Sequence, residues 1–231
     1  MFRPVPVPAL PPSTALADLA TAGEDHAWLV GTTGVFTSRP STPLVLRWTG
    51  AGWHEEPLPA LPAPASLAGV AATAPDDVWA VGNSSGRPLV LHYDGATWRA
   101  TTTPPMTWAK AVAAAAPDDV WLAHVRDTHE LRLHRWNGSA WHEVPSPDDT
   151  DRLSVHGVAA GWTWGVRAGR GSFETRPAFH RWTGAGWAPV PLPDPLAGTS
   201  ASHVGLTTTG ATTWAYLKTA AGVHVLRHTA A

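Results

Sequence analysis

The chain has 231 residues and a formal net charge of -2, and only 15% of its residues are charged. This length is sufficient for a sizeable core, whereas the charge argues against a nucleic-acid groove or an anionic-membrane binder, both of which need a cationic excess. The sequence contains no cysteine, which excludes disulfides, thiolate catalysis and zinc held by cysteine.

The N-terminus lacks the basic and then apolar pattern of a signal peptide, and no apolar run approaches the length of a membrane span. We therefore expect a cytoplasmic location. Among the 16 basic residues only Lys110 and Lys218 are lysines, and this bias toward arginine is typical of a GC-rich bacterial gene.

The first predicted element is an extended segment, FRPVPVP, at residues 2–8. Its three prolines are tolerated in a strand only at the edge of a sheet, where outward N–H groups need no partner. The segment matches WAPVPLP at residues 187–193, with Phe2 in the place of Trp187. Because 187–193 ends the fourth copy of a repeat, residues 2–8 are predicted to supply the outer strand of the last copy.

Residues 66–102 show the repeat unit most clearly, as SLAGVAATAPDDVWAVGNSSGRPLVLHYDGATWRATT. Short apolar or alternating runs are separated by APDD, GNSSG and DG, which are turn signals. No part of the unit has a helical period. The unit therefore predicts four antiparallel strands, as in one blade of a β-propeller.

The fold prediction is an all-β, five-bladed propeller that forms a single domain over residues 1–231. A four-stranded unit recurs with a period typical of propellers, and the ring is predicted to close when the N-terminal strand completes the last blade, which removes exposed sheet edges. The predicted blades are approximately 14–58, 66–102, 108–145, 153–191, and 201–231 plus 2–8.

Tryptophan is unusually frequent, with 14 residues, and most tryptophans recur in step with the repeat. One series consists of Trp28, Trp79, Trp121, Trp164 and Trp214, and we expect its members to pack between blades. Trp108 and Trp162 depart from the repeat. An aromatic side chain that departs from the repeat is a candidate for ligand contact, Trp108 above all.

The motif DDVWAVG at 76–82 and its variant DDVWLAH at 118–124, with TGAGW at 49–53 and 183–187, resemble bacterial tryptophan-rich β-propeller repeats. Blades one, four and five lack the Asp–Asp pair. The resemblance implies the propeller fold and, for function, binding in general. The paired aspartates recur at one turn, so we expect them to form turns and cap strands.

Candidate site residues are those that break the repeat near the start of the first strand of each blade. Lys110 and His156 occupy one equivalent position, at which other blades have Ala17, Ala68 and, less securely, Val204. If the site is catalytic, His156 is the proton carrier, because its pKa suits neutral pH, and Lys110 stabilises negative charge. The predicted ligand-binding residues are Trp108, His203, Asp148, Asp149, Asp151, Arg126 and Arg170.

The leading functional hypothesis is a small-molecule or peptide binding module whose central mouth recognises its ligand. The alternative is a cofactor-independent enzyme of bacterial specialised metabolism, such as a cyclase, isomerase or hydrolase. No metal-ligand spacing such as HExxH is found. We expect no cofactor, no metal, no nucleic-acid or membrane partner, and a monomer.

Overall fold

The computed structural model of the chain describes residues 5–103, 106–125, 131–145, 153–159, 161–168, 175–209 and 212–229. These residues form 19 strands in five antiparallel sheets. Within the described ranges no helix is long and apolar enough to cross a membrane.

Each of the first four sheets contains four strands in chain order, and the fifth contains three described strands. The strands are β1 (Ala15–Thr21), β2 (Ala27–Thr33), β3 (Thr42–Trp48), β4 (Trp53–Glu55), β5 (Ala65–Ala74), β6 (Asp77–Ser84), β7 (Arg87–Tyr93), β8 (Trp98–Ala100), β9 (Trp108–Ala116), β10 (Asp119–Val125), β11 (Leu131–Trp136), β12 (Trp141–Val144), β13 (Leu153–Ala159), β14 (Trp162–Ala168), β15 (Thr175–Trp182), β16 (Trp187–Val190), β17 (Ala201–Thr209), β18 (Thr212–Thr219) and β19 (Gly222–Thr229).

The turns between third and fourth strands form where the sequence predicts hairpins. In sheet two, Asp94 Oδ1 accepts hydrogen bonds from the N–H groups of Ala96 at 3.1 Å and Thr97 at 2.9 Å. Gly95 has a φ of 88°, a conformation that favours glycine. The Asp–Gly signal therefore fixes this hairpin through a side-chain turn and a left-handed glycine.

Neighbouring sheets pack through a tryptophan of one sheet and an aromatic pair of the next. Trp79 is 2% exposed. Its ring lies 5.5 Å from that of Trp136 and 5.6 Å from that of Trp141 in sheet three. Trp28 and Trp121 make the same contact with the following sheet at 4.9–5.9 Å. These buried rings are the cores between sheets.

Pairing register places Trp162, and not Trp164, at the repeat position of Trp121 in sheet four, so the predicted repeat series was wrong at this member. Trp162 pairs with Arg181, as Trp121 pairs with Arg135. Its ring is 6% exposed and lies 4.9 Å from that of His228 in sheet five. Two residues of the sequence separate Trp162 from its strand partner Ala159, whereas seven separate Trp121 from Ala113. Since sheet four lacks the Asp–Asp segment, its second strand starts directly at the packing tryptophan.

The two ends of the row of sheets each carry an uncovered apolar face. On sheet five, Trp214 is 43% and Val225 66% exposed, whereas the equivalent residues of sheet two, Trp79 and Val90, are 2% and 1% exposed. On sheet one, Leu19 is 54% exposed, although its counterpart Val70 is 4% exposed. We call these surfaces the sheet-five end face and the sheet-one end face.

The predicted N-terminal strand lies partly outside the described residues, which begin at residue 5. Residues 5–8 are described and belong to no strand. The described part of sheet five ends with β19 as an edge strand. The assignment of residues 2–8 as the outer strand of the last blade therefore stays a prediction.

Candidate functional site

The first strands of sheets one to four share one irregularity. In each, a β-bulge interrupts pairing with the second strand. The bulge residues, which have no partner in the pairing register, are Ala17, Ala68, Lys110 and His156. The backbone register thus places Lys110 and His156 at the same point, as the sequence predicts. A bulge inserts an extra residue and re-aims it away from the ladder.

Glycine in the second strand makes this bulge sterically feasible in sheets one and two. A Cβ atom added to Gly31 would collide with the carbonyl oxygen of Ala15, and one added to Gly82 would collide with that of Ser66. The bulged strand therefore approaches the backbone of its neighbour too closely for a side chain.

Trp108 and Lys110 are both exposed, and the residue between them is buried. Trp108 is 51% exposed, Ala109 is 2% exposed, and Lys110 is exposed again. In sheet two, Ala68 is likewise exposed although Leu67 is 3% exposed. The bulge thus exposes one residue within an otherwise buried strand, and in sheet three that residue is a lysine beside an exposed indole.

The starts of the first strands lie at one end of the sheets, together with the loops that join second to third strands. Trp108 pairs with Val125, and Ala15 pairs with Thr32, just before these loops. We call this end the mouth face. It is the face on which the sequence analysis places the site.

The other predicted site residues are less fully described. His203 lies on β17 opposite Lys218. The bulge of sheet five is at Ser202, two positions nearer the start of the strand than in the other sheets, so Val204 matches Lys110 when both are counted from the packing tryptophan. Asp148, Asp149, Asp151, Arg126 and Arg170 lie outside the described residues.

Asp18, next to the bulge residue Ala17 in the middle of β1, makes a contact between sheets that the sequence does not predict. Its Oδ2 accepts a hydrogen bond from Val70 N–H of sheet two at 3.0 Å, and its Oδ1 accepts one from Leu19 N–H at 2.9 Å. Desolvation by burial raises the pKa of its carboxyl, although both hydrogen bonds oppose the shift. The available signal was a lone acid at a position where the other sheets have Gly69, Ala111, Gly157 and Gly205.

We expect Asp18 to link stability to pH. A carboxyl with a raised pKa in the folded state contributes most below its ordinary pKa, and this contribution is lost as pH rises through the raised value. Wild type should therefore lose stability relative to Asp18→Asn as the pH rises above about 4, the ordinary pKa of the carboxyl. Asp18→Ala should cost about 1 kcal/mol, because Val70 N–H loses its acceptor.

Urea unfolding of the three proteins at several pH values measures both effects. A difference between wild type and Asp18→Asn that is constant with pH would contradict the linkage. An unchanged stability of Asp18→Ala would contradict the role of the Val70 hydrogen bond.

The second aspartate of each Asp–Asp pair holds a basic side chain over the packing tryptophan. Asp77 Oδ1 lies 2.6 Å from His92 Nε2, and the His92 ring stacks on Trp79 at 4.2 Å. Burial raises the pKa of Asp77, but hydrogen bonds from His92 and Thr73 outweigh it and the net pKa is lowered. In sheet three, Arg135 bonds Asp119 at 2.6 Å and lies over the Trp121 ring. These carboxylates hold structural pairs within their sheets.

The described surface includes two shallow cavities. One, of about 500 Å³, lies on the mouth face between sheets one and two, and its wall includes Ala17 and the 34–41 loop. The other, of about 550 Å³, lies on sheet four and is lined mainly by apolar residues such as Phe179, Val190 and Leu192. Nowhere in the described ranges do three His, Asp or Glu side chains cluster as metal ligands would.

Solved structures with the same architecture share little sequence with this chain. YCF48 bound to a D1 peptide has 16% identity, a TM-score of 0.57, and coverage of 96% of this chain and 70% of its own. SapL1 lectin in complex with α-methyl fucoside has 14% identity, a TM-score of 0.57, and coverage of 94% and 79%. A six-bladed β-propeller lectin of Aleuria aurantia has 12% identity, a TM-score of 0.55, and coverage of 94% and 75%.

The chain has a β-propeller fold. The likeness to these propellers reaches no further than the fold, because all three identities are low. No protein-family model matches the chain, and a search of curated proteins finds no match.

Proposed function

We propose that this β-propeller is a binding module that takes a peptide or a small polar ligand at its mouth face. The observation that carries the proposal is the exposed pair of Trp108 and Lys110 at the bulge of sheet three. Sheets one and two place alanine at the same bulge. An exposed indole beside a lysine is not needed for packing, whereas it suits an apolar surface that bears a polar or anionic group.

The remaining candidates extend this site around the mouth face. His156 shares the bulge position of Lys110 in the next sheet, and His203 lies near the start of β17. The acidic candidates Asp148, Asp149 and Asp151 follow sheet three in the chain, and Arg126 and Arg170 belong to the loops before β11 and β15. Support also comes from the propellers of similar fold, which are solved with a peptide or with a fucoside.

The binding proposal predicts that loss of either exposed side chain removes affinity and spares the fold. A printed array of short peptides and of mono- and disaccharides identifies a probe for wild type. Lys110→Ala and Trp108→Ala should then each weaken binding of that probe about tenfold or more, since one charge-assisted hydrogen bond or one stacked ring is worth roughly 1–3 kcal/mol.

Arg99→Ala is the matched control, because Arg99 is an exposed cation on the outer strand of sheet two, away from the mouth face. Its probe affinity should equal that of wild type. Full affinity in both Lys110→Ala and Trp108→Ala, or no array signal for wild type, overturns the proposal.

We further propose that the five sheets are five blades of one closed ring. Residues 2–8 would pair with β19 as the fourth strand of sheet five, with Phe2 beside His228. Six residues, 9–14, then lead to β1, and seven residues, 101–107, join β8 to β9. The sheet-five and sheet-one end faces would meet, with Trp214 against the Trp48–Trp53 pair, whose rings lie 5.9 Å apart. Such a closed ring would be a monomer.

A further inference from the structure

The loop between β2 and β3 is built differently from its counterparts in sheets two and five. It contains eight residues, 34–41, whereas the corresponding turns contain two residues each, 85–86 and 220–221. A tight turn is sufficient to join these strands. The extra residues of sheet one therefore need another explanation, and a long loop on a regular scaffold is a frequent place for binding residues.

Hydrogen bonds hold the 34–41 loop in a defined shape. Thr37 Oγ1 donates to the carbonyl oxygen of Gly34 at 2.8 Å and accepts from Arg39 N–H at 3.2 Å. Val35 N–H donates to Ser13 O at 2.9 Å. At the base of the loop, Ala65 N–H donates to Ser41 O at 2.9 Å, which ties the loop to sheet two.

Phe36 is held in this loop at a cost in free energy. Its φ is 59°, in the left-handed region that disfavours residues with a Cβ atom. Its side chain is also fully exposed, at 104% of the reference area. Neither the backbone conformation nor the exposed ring helps folding, and residues held in such conformations concentrate at ligand sites.

The groove beneath the loop has the size and lining of a small-molecule site. Its volume of about 500 Å³ lies within the usual range for ligand pockets. The walls are largely apolar, with hydroxyl groups at intervals, and include Ala15, Ala17, Pro40, Leu67, Ser41 and Ser66.

Arg39 supplies the charge of the groove. Arg39 lines the same cavity as Phe36 and is exposed. No acidic side chain of the described residues forms an ion pair with Arg39. A guanidinium that forms no ion pair among the described residues has its planar donors available for a carboxylate of a ligand.

We propose that the 34–41 loop and the groove beneath it form a binding site for a small carboxylate that carries an aromatic ring. The Phe36 ring stacks on the ring of the ligand, the Arg39 guanidinium binds the carboxylate, and the apolar walls cover the remainder. This site uses sheets one and two and does not rest on the proposed Trp108–Lys110 site of sheet three.

The test uses N-acetylphenylalanine as the probe, with N-acetylphenylalanine amide, which lacks the charge, and acetate, which lacks the ring. Binding is followed by titration calorimetry and by shifts of the backbone amide resonances of residues 34–41. The acid should bind with the largest shifts in this loop. The amide and acetate should each bind about tenfold more weakly, as expected for loss of one charge-assisted hydrogen bond or one ring contact.

Four variants assign the effect to its residues. Phe36→Ala and Arg39→Gln should each reduce affinity for the acid about tenfold. Phe36→Gly should lose the same affinity without a fall in melting temperature, because glycine adopts the left-handed conformation without strain. Arg87→Gln is the matched control, since Arg87 is an exposed cation beside the short turn of sheet two, and it should bind as wild type does.

Equal binding of the acid and the amide, or wild-type affinity in Phe36→Ala, overturns the proposal. So does the absence of any binding of the acid to wild type. Lys110→Ala should bind the acid normally, so that failure of this site and failure of the sheet-three site give different results.

Discussion

Trp79→Ala should lower the free energy of unfolding by about 3–5 kcal/mol, as truncation of a large buried aromatic does. The Trp79 ring is 2% exposed. It stacks on His92 at 4.2 Å and contacts Trp136 and Trp141 of the next sheet at 5.5 and 5.6 Å. Alanine would leave a cavity between two sheets that are held by rigid strands on both sides, so little of the loss is recovered by relaxation. Trp121→Ala should behave in the same way.

Urea unfolding followed by circular dichroism measures the change, and Trp108→Ala is the matched control. Trp108 is 51% exposed, so its replacement should change stability by less than about 1 kcal/mol. The two variants then distinguish the two roles, because loss of Trp79 lowers stability whereas loss of Trp108 lowers affinity for the ligand. A Trp79→Ala protein within 1 kcal/mol of wild type would show that the ring does not hold the sheets together.

Strand positions were predictable because each strand carries its own periodic signal. In the repeat unit at residues 66–102, the apolar run LAGVAAT before the APDD turn lies within β5 (Ala65–Ala74), and the Asp–Gly turn forms where the sequence predicts it. The error at Trp164 has a local cause. Counting a fixed period assumes equal spacing between paired positions, but two residues separate Trp162 from its strand partner Ala159, whereas seven separate Trp121 from Ala113. Pairing register, which the sequence does not state, assigns Trp162 instead.

The site was only partly predictable. Comparison of repeats was sufficient to find that Lys110 and His156 share a position, but the bulge that exposes Lys110 is a property of the backbone. Asp18 was missed because its role depends on a hydrogen bond to Val70 in another sheet. The 34–41 loop was missed although its length was readable, since a loop without periodic pattern gives no signal until its φ angles and exposure are known.

If the ring closes as proposed, removal of residues 1–8 should destabilise the protein by about 2–4 kcal/mol, the cost of losing the aromatic side chain that a closed ring would bury at Phe2. The reason is that the closed ring proposed above needs this segment as the outer strand of sheet five. Without it, β19 becomes an open edge that can pair with another chain. The truncated protein should therefore also associate, with a concentration dependence visible in sedimentation velocity.

Trp214→Ala tests the same ring at its other contact, where the sheet-five end face meets the sheet-one end face. If Trp214 packs against Trp48 and Trp53 as Trp79 packs against Trp136 and Trp141, its loss should cost about 2–4 kcal/mol. If Trp214 has no partner sheet and its indole stays 43% exposed, its replacement by alanine would cost less than about 1 kcal/mol. A double-mutant cycle with Trp53→Ala separates the cases, because contacting aromatic pairs couple by about 0.5–1.5 kcal/mol. The control cycle pairs Trp214→Ala with Trp141→Ala in sheet three and should show additive effects. Additive effects in both cycles, together with a truncated protein that stays monomeric and melts as wild type does, would rule out the closed ring.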